Sequence, residues 1–160
     1  MTAARARPRA RFVLSGIAPR GAGSSRLPRH LSALAREAAR RARRPVEVEV
    51  RSVSDKEIRA LHRRWLGDGS TTDVISFPLS EPRDPVLRGS LAVSWDTAVR
   101  EAARRGHPPY HEWMLYVVHG TLHLLGHDDR SAADRARMRR AERSVLETLG
   151  LPHVYGEEER

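Results

Sequence analysis

The sequence predicts a single α+β domain, an α/β layer in which a mixed sheet of about four strands packs with about five helices. The chain has 160 residues, a length that suits one hydrophobic core. Its segments follow the order strand, helix, strand, helix, strand, strand and then helices, which is typical of a sheet covered by helices. The segment 110–125 is apolar on most sides, so we expect a buried central helix there.

The expected domain covers residues 11–150. Residues 1–10 are mainly Arg, Ala and Pro without periodicity, and we interpret them as a basic, flexible tail. Residues 151–160 follow the last predicted helix and are expected to form a C-terminal tail.

Apolar spacing justifies the first three elements. A short strand lies within residues 11–17, and a loop rich in Gly, Ser and Pro follows at 19–28. Apolar residues then recur at helical spacing, which predicts a helix over about 28–43: Leu31, Leu34, Ala35 and Ala38. The next residues alternate valines with charged side chains, as a half-buried strand does: Val46, Val48 and Val50.

The middle of the chain contributes a helix, two strands and a second helix. Residues 54–57 read Ser-Asp-Lys-Glu, a capping box that opens a helix ending near Gly67. Residues 74–77 are expected to be a strand closed by a proline, and 91–94 a central strand because they are apolar and uncharged. Residues 95–105 continue as a helix.

Two helices complete the predicted fold, over about 110–125 and 132–149. Gly150 ends the second of them. Glu112 lies seven residues before His119 and hence on the same helix face. We expect it either to orient a metal-ligating histidine or to be an exposed first-turn glutamate.

The stretch from His119 to Asp129, His-Gly-Thr-Leu-His-Leu-Leu-Gly-His-Asp-Asp, contains the main chemical motif. Histidines four apart lie on one helix face and can both bind one metal ion. Gly126 offers a left-handed turn, so that a residue beyond it can supply a third ligand. The central helix is therefore predicted to bind metal.

Two residues are candidates for the third ligand. In the extended zinc-protease motif the ligands fall at offsets zero, four and ten with glycine at seven, and those offsets favour Asp129 over His127. The protease motif also places a general base directly after the first histidine, where this chain has Gly120. A protease of that type is therefore not predicted.

The amino-acid composition limits which atoms can bind the metal and what charge the partner carries. The chain has no cysteine, so nitrogen and oxygen atoms must hold the ion. The net charge is +9 and the pI about 11.2, which favours a polyanion such as RNA or the ribosome. No segment approaches the length of an apolar membrane span, and no secretory signal is evident. We expect a soluble, cytoplasmic protein with no membrane partner.

Two motifs together resemble a known family. Thr72-Asp-Val-Ile-Ser-Phe-Pro78 and His119-Gly-Thr-Leu-His-Leu-Leu-Gly-His-Asp128 look like the two signatures of the YbeY-type endoribonucleases, or rRNA maturation factors. Their order and separation match as well. Gly89–Ala98 resembles the strand and helix between them, and Met138 with Glu142 resembles the C-terminal helix.

The resemblance implies a zinc-dependent, single-strand-specific endoribonuclease that processes ribosomal RNA, notably at the small-subunit 3′ end, and acts in ribosome quality control. It implies ribosomal RNA and the small ribosomal subunit as partners. The family's three ligand histidines map onto His119, His123 and Asp129, so the third position departs from the pattern. An arginine that family members can carry before the Thr-Asp-Val segment aligns with Leu66.

From these residues we expect His119, His123 and Asp129 to bind one Zn²⁺ ion and to act in catalysis by activating water on it. An aspartate in the third position makes a harder site, which also accepts Mn²⁺ or Mg²⁺. Arg63, Arg64 and Asp73 are candidates for positioning RNA. The alternative hypothesis is a ribosome-associated RNA-binding factor with a structural metal and little hydrolytic activity.

Overall fold

The computed structural model describes residues 9–155, which form four strands and five helices. The strands are β1 (Ala10–Gly16), β2 (Val46–Val53), β3 (Val74–Pro78) and β4 (Leu87–Ser94). The helices are α1 (Leu27–Ala42), α2 (Asp55–Leu66), α3 (Trp95–Arg105), α4 (Pro109–Leu124) and α5 (Ala132–Leu149). A single 3₁₀ turn, Ser24–Arg26, precedes α1. The predicted α+β class is confirmed.

The four strands form one mixed sheet in the order β1-β2-β4-β3. β1, β2 and β4 are parallel, and β3 joins the edge antiparallel to β4. Val48 pairs with Phe12 on one side and Gly89 on the other. As predicted, β4 is internal, so both of its edges are hydrogen-bonded.

The two faces of the sheet contact different helices. Leu91 and Val93 of β4 belong to the main core, which includes buried residues of α1, α3, α4 and α5. Ala92 points the other way, because strand side chains alternate, and packs with Val53 and with Ile58 of α2. The main core therefore lies between the sheet and the helix layer that contains α4.

α4 lies inside this layer, with its middle shielded from solvent. Trp113, Met114 and Val117 have no exposed surface, and the helix packs against β3, β4, α3 and α5. The predicted buried central helix is confirmed. The ligating end of α4 is the part that approaches solvent, since the His123 side chain retains 28% exposure.

The capping box at the start of α2 is also confirmed. The Ser54 hydroxyl accepts a hydrogen bond from the Glu57 backbone N–H, and the Glu57 carboxylate accepts one from the Ser54 N–H. Both bonds satisfy backbone donors that a helix start otherwise leaves open.

The ends of the described chain join the core. β1 begins at Ala10, and beyond Gly150 the side chains of Leu151 and Val154 are buried. The remaining parts of the two predicted tails, residues 1–8 and 156–160, lie outside the described residues. Within residues 9–155, no helix has the length and apolar character needed to cross a membrane.

The left-handed backbone conformation of Arg43 can be tested for strain by substitution. It ends α1 with φ of 56°, a positive value that no other non-glycine residue in the described part of the chain has. Replacing Arg43 with glycine would relieve ~1–2 kcal/mol of strain in the left-handed conformation. This gain exceeds the ~0.5–1 kcal/mol that the greater backbone entropy of glycine in the unfolded chain costs. We therefore expect Arg43→Gly to raise the free energy of unfolding by ~0.5–1 kcal/mol, as measured by chemical denaturation.

Arg36→Gly is the matched control, because Arg36 is exposed within the same helix. Glycine in a helix interior costs ~1 kcal/mol, so this control is expected to shift stability in the opposite direction. Equal destabilisation by both substitutions would show that the left-handed conformation of Arg43 carries no strain.

Candidate metal centre

The end of α4 and the turn after it bring three side chains together. His119 and His123 lie one helical turn apart on the same face. Gly126 then adopts φ of 96°, and its N–H bonds the His123 carbonyl while the His127 N–H bonds the Leu122 carbonyl. This left-handed turn reverses the chain and returns Asp129 to the two histidines.

The three potential ligand atoms form a nearly equilateral triangle. His119 Nε2 lies 3.0 Å from His123 Nε2. Asp129 Oδ2 lies 3.5 Å from His119 Nε2 and 3.4 Å from His123 Nε2. Tetrahedral zinc, with bonds of ~2.0–2.1 Å, spaces its ligand atoms by ~3.3 Å. The triangle therefore has the size of one face of a zinc coordination tetrahedron.

The other nitrogen of each imidazole is bound to an acceptor. His119 Nδ1 lies 2.6 Å from Glu142 Oε1, and His123 Nδ1 lies 3.0 Å from the His127 carbonyl oxygen. A carbonyl can only accept, so His123 carries its proton on Nδ1, and the Glu142 carboxylate favours the same tautomer of His119. Both rings then direct an Nε2 lone pair at a common point beside Asp129, as metal-binding histidines do.

This arrangement fits a cation. Two ring nitrogens and a carboxylate oxygen lie within 3.5 Å of one another. With both protons on Nδ1, all three atoms are electron donors, which repel one another unless a positive charge lies between them. His119, His123 and Asp129 are the group of three in the described chain whose atoms are close enough to hold one ion. The donors are nitrogen and oxygen, as expected for a chain without cysteine.

His127, the alternative third ligand, contributes differently. Its side chain is not part of the group that could hold the ion, whereas its backbone carbonyl orients His123. Burial, together with the charge of Arg41, lowers the pKa of the His127 imidazole.

The packing around Gly120 accounts for the absence of a glutamate after the first histidine of the motif. A Cβ atom at this position would lie 2.9 Å from Leu91 Cδ2 and 3.0 Å from Val74 Cγ2. The Gly120 carbonyl also accepts a hydrogen bond from the Ser76 hydroxyl. Helix α4 therefore lies directly on β3 and β4 here, and the contact leaves no room for a larger side chain.

Glu142 of α5 is a site residue that the sequence pattern did not assign. It has no exposed surface, and it lies on the apolar helix face with Met138, Ala141 and Val145. Burial disfavours a charged His119, but the hydrogen bond and charge of Glu142 outweigh this and raise the pKa of His119. A charged residue among the apolar positions of α5 was the available sequence signal.

Glu112 has neither of its two predicted roles. It is fully buried rather than exposed, and it contacts Arg105 at 2.9 Å and His107 at 2.8 Å instead of a ligand histidine. Burial raises the pKa of Glu112, opposed by the charge of Arg105. The role of orienting His119 belongs to Glu142.

Two cavities meet at the candidate centre, where His119 and Asp129 line both of them. The first, of about 500 Å³, extends between α3, α4 and α5. The second, also about 500 Å³, extends along β3. They share four lining residues: Thr72, Asp73, His119 and Asp129. The candidate centre thus lies between two compartments.

The three predicted RNA-positioning residues lie in different places. Asp73 lines both cavities, and its carboxylate accepts a hydrogen bond from the Val74 N–H at the start of β3. Arg63 and Arg64 are exposed in the last turn of α2, outside the described lining of both cavities. Leu66, which follows them, lines the second cavity.

Comparison with known proteins identifies a family. The sequence model described as Endoribonuclease YbeY matches residues 24–150. An Endoribonuclease YbeY of Anaeromyxobacter is 41% identical over 140 residues, covering 86% of this chain and 71% of that protein. The one from Rhodopirellula baltica is 44% identical over 106 residues, which cover 65% of this chain and 54%, about half, of the relative's length.

A solved structure has a similar fold. The solution structure of a Thermotoga maritima protein aligns with a TM-score of 0.62 at 26% sequence identity. The alignment covers 87% of this chain and 89% of that one. The two proteins therefore share the fold over most of their length.

Replacing Glu142 tests how the centre is oriented. Glu142→Gln keeps the size of the side chain but removes the negative charge that holds the His119 Nδ1 proton. We expect the affinity for Zn²⁺ to fall ~10–100-fold, measured by competition with a chromophoric chelator. Glu147→Gln, at an exposed position of the same helix, is expected to bind as tightly as the wild type. Equal affinities for all three proteins would contradict an orienting role for Glu142.

Proposed function

The chain belongs to the YbeY endoribonuclease family, and we propose that it is a metal-dependent, single-strand-specific endoribonuclease. One observation carries this proposal: the ligand triangle of His119, His123 and Asp129 lies where two cavities meet. A nucleic acid strand that occupies both cavities passes directly beside the triangle, so a phosphodiester bond within the strand, and not only its end, reaches the ligands.

We propose Zn²⁺ as the ion. The spacing of the triangle supports it, because imidazole nitrogen and carboxylate oxygen are common zinc ligands at these separations. When bound, the ion supplies the Lewis acidity that activates water for attack on a phosphodiester. Asp129 gives the site more anionic character than three neutral histidines would, which extends its tolerance to Mn²⁺ or Mg²⁺.

The protein's own groups prepare the site for this ion. Glu142 and the His127 carbonyl hold protons on the two Nδ1 atoms, so both Nε2 atoms stay available as electron donors. Asp129, 41% exposed, reaches the histidines from the turn. With three protein ligands, a tetrahedral ion held here would have a fourth position available for water, which is typical of a catalytic site rather than a structural one. In the described part of the chain, nothing favours the alternative of an RNA-binding factor with a purely structural metal.

The proposed substrate is ribosomal RNA, with processing at the small-subunit 3′ end and a role in ribosome quality control. The net charge of +9 supports binding to RNA phosphates, and family membership supports the reaction. We extend the proposal to association with the small ribosomal subunit and to a cytoplasmic location.

The function is tested by removing ligands one at a time. His123→Ala and Asp129→Ala each remove one of three ligands, so both are expected to lose bound zinc and to cleave single-stranded RNA at least ~100-fold more slowly, because the group that activates water is lost. Zinc content and cleavage rate are measured on the same protein samples.

His127→Ala is the matched control, because it removes the other candidate ligand but keeps the backbone carbonyl that orients His123. It is expected to retain zinc and activity. If His127→Ala lost zinc and Asp129→Ala kept it, His127 and not Asp129 would be the third metal ligand. Zinc-loaded wild-type protein that binds RNA without cleaving it would favour the RNA-binding factor instead.

Asp129→His tests the influence of the third ligand on metal choice. A neutral imidazole suits zinc, whereas a carboxylate also suits manganese and magnesium. We expect the ratio of zinc affinity to manganese affinity to rise by about tenfold or more in Asp129→His, measured by competitive titration. An unchanged ratio would contradict the assignment of Asp129 as a ligand.

A further inference from the structure

One side of α5 presents two arginines to the candidate centre. Arg135 and Arg139 are four residues apart and therefore lie on the same helix face. Both line the first cavity, together with His119 and Asp129. Glu142, the residue that orients His119, continues the same row one turn later.

Arg135 keeps its positive charge available. Its Nη1 donates hydrogen bonds to the backbone carbonyls of Arg130 at 2.8 Å and Asp129 at 3.4 Å. Carbonyls carry no formal charge, and among residues 9–155 no carboxylate forms an ion pair with Arg135. The side chain thus braces the loop of the third ligand while its charge is not neutralised.

Arg139 is also incompletely neutralised. Its nearest carboxylate oxygen is Glu142 Oε2 at 3.7 Å, beyond hydrogen-bond distance, and the other oxygen of Glu142 is bound to His119. Arg139 Nη1 and the facing Glu142 Oε2 are both buried without a hydrogen-bond partner, so the pair leaves hydrogen-bonding capacity of the guanidinium unused.

The ring of Tyr155 fixes the position of Arg139. The guanidinium carbon lies 3.4 Å from the ring centroid, which is a close stacking contact. Stacking restrains the plane of the guanidinium, and the side chain keeps 39% of its surface exposed. The site is therefore arranged before any ligand arrives.

The other charged groups near the centre do not form an equivalent site. Arg105, in the same cavity, contacts Glu112 at 2.9 Å and Glu101 at 3.8 Å. In the second cavity, Arg130 lies 3.5 Å from Asp128 and is 89% exposed. Much of the remaining lining there is apolar: Leu66, Val74, Ile75, Pro78 and Leu124. Arg135 and Arg139 of α5 are therefore the two arginines that lie side by side in the described lining of one cavity without a hydrogen bond to a carboxylate.

We propose that Arg135 and Arg139 form a phosphate-binding subsite, which holds a backbone phosphate of single-stranded RNA on the α5 side of the metal centre. Planar guanidinium groups bind phosphate oxygens in pairs. The inference rests on the proposed function, because it takes RNA as the substrate. Its consequence is an asymmetric site: an arginine pair holds a backbone phosphate on the α5 side of the scissile bond, and the described lining of the second cavity, along β3, offers no such pair.

The subsite is tested by binding without cleavage. Arg135→Gln, Arg139→Gln and Arg140→Gln are each combined with His123→Ala in the full-length chain, and the affinity for a short single-stranded RNA is measured at several salt concentrations. Arg140 is the matched control, because it is exposed on the same helix outside the described cavity lining. Loss of one phosphate contact is expected to reduce the salt slope by ~0.7 and to weaken binding by about tenfold. Arg140→Gln leaves both nearly unchanged.

Arg139→Lys distinguishes loss of a phosphate contact from a purely structural effect of replacing Arg139. It keeps the charge, so the salt slope is expected to stay near that of the parent protein while the affinity falls, because lysine has no planar fork. If Arg135→Gln and Arg139→Gln have the same salt slope as Arg140→Gln, the subsite is overturned.

Cleavage by the zinc-loaded protein separates this inference from the proposed function. With His123 present, Arg139→Gln is expected to raise KM by about tenfold with little change in kcat, as for a contact made equally in the ground and transition states. If the zinc-loaded protein binds RNA through both arginines but does not cleave it, the nuclease function is refuted and the subsite is supported. Normal cleavage with an unchanged KM would support the nuclease function and refute the subsite.

Discussion

The candidate centre depends on how the two imidazole rings are held. Each ring has its Nδ1 bound to an acceptor, Glu142 in one case and the His127 carbonyl in the other. This leaves two lone pairs directed at one point, only 3.0 Å apart. Without those acceptors, either ring could rotate or change tautomer, and the triangle with Asp129 would not be maintained.

The fold provides these acceptors through two separate contacts. Gly120 allows α4 to lie directly on β3 and β4, which sets the depth of the histidines in the domain. α5 packs on the other side of α4 and brings Glu142 to His119. A buried carboxylate is costly unless it is hydrogen-bonded, and the hydrogen bond between His119 Nδ1 and Glu142 Oε1 offsets part of that cost. Stability and metal geometry therefore depend on the same helix contact.

Features that depend on local sequence were predicted well. The order of elements, the capping box at Ser54, the burial of α4 and the left-handed turn at Gly126 all follow from periodicity or turn chemistry within a few residues. The grouping of His119, His123 and Asp129 was also visible, because its members lie within eleven residues of one another. Long-range contacts were not predicted. Glu142 is 23 positions from His119, and Glu112 was assigned roles that its contacts with Arg105 and His107 exclude.

Two further features have no local sequence signal. The acceptor for His123 is a backbone carbonyl, a group that every residue has, so only the turn geometry reveals it. The first cavity is lined by residues of α3, α4, α5 and the C-terminal segment, where Tyr155 stacks on Arg139. The sequence predicted RNA contacts at Arg63, Arg64 and Asp73. Of these, Asp73 lines both cavities, and the arginines that line them are at other positions: Arg105, Arg130, Arg135 and Arg139.

The ligand set of the candidate centre is tested by a crystal structure of the zinc-loaded protein with anomalous diffraction at the zinc edge. We expect one peak, ~2.0–2.1 Å from His119 Nε2, His123 Nε2 and an Asp129 carboxylate oxygen, with a fourth position open to the two cavities. A zinc ion bound by the His127 imidazole in place of Asp129, or located away from the two histidines, would contradict it.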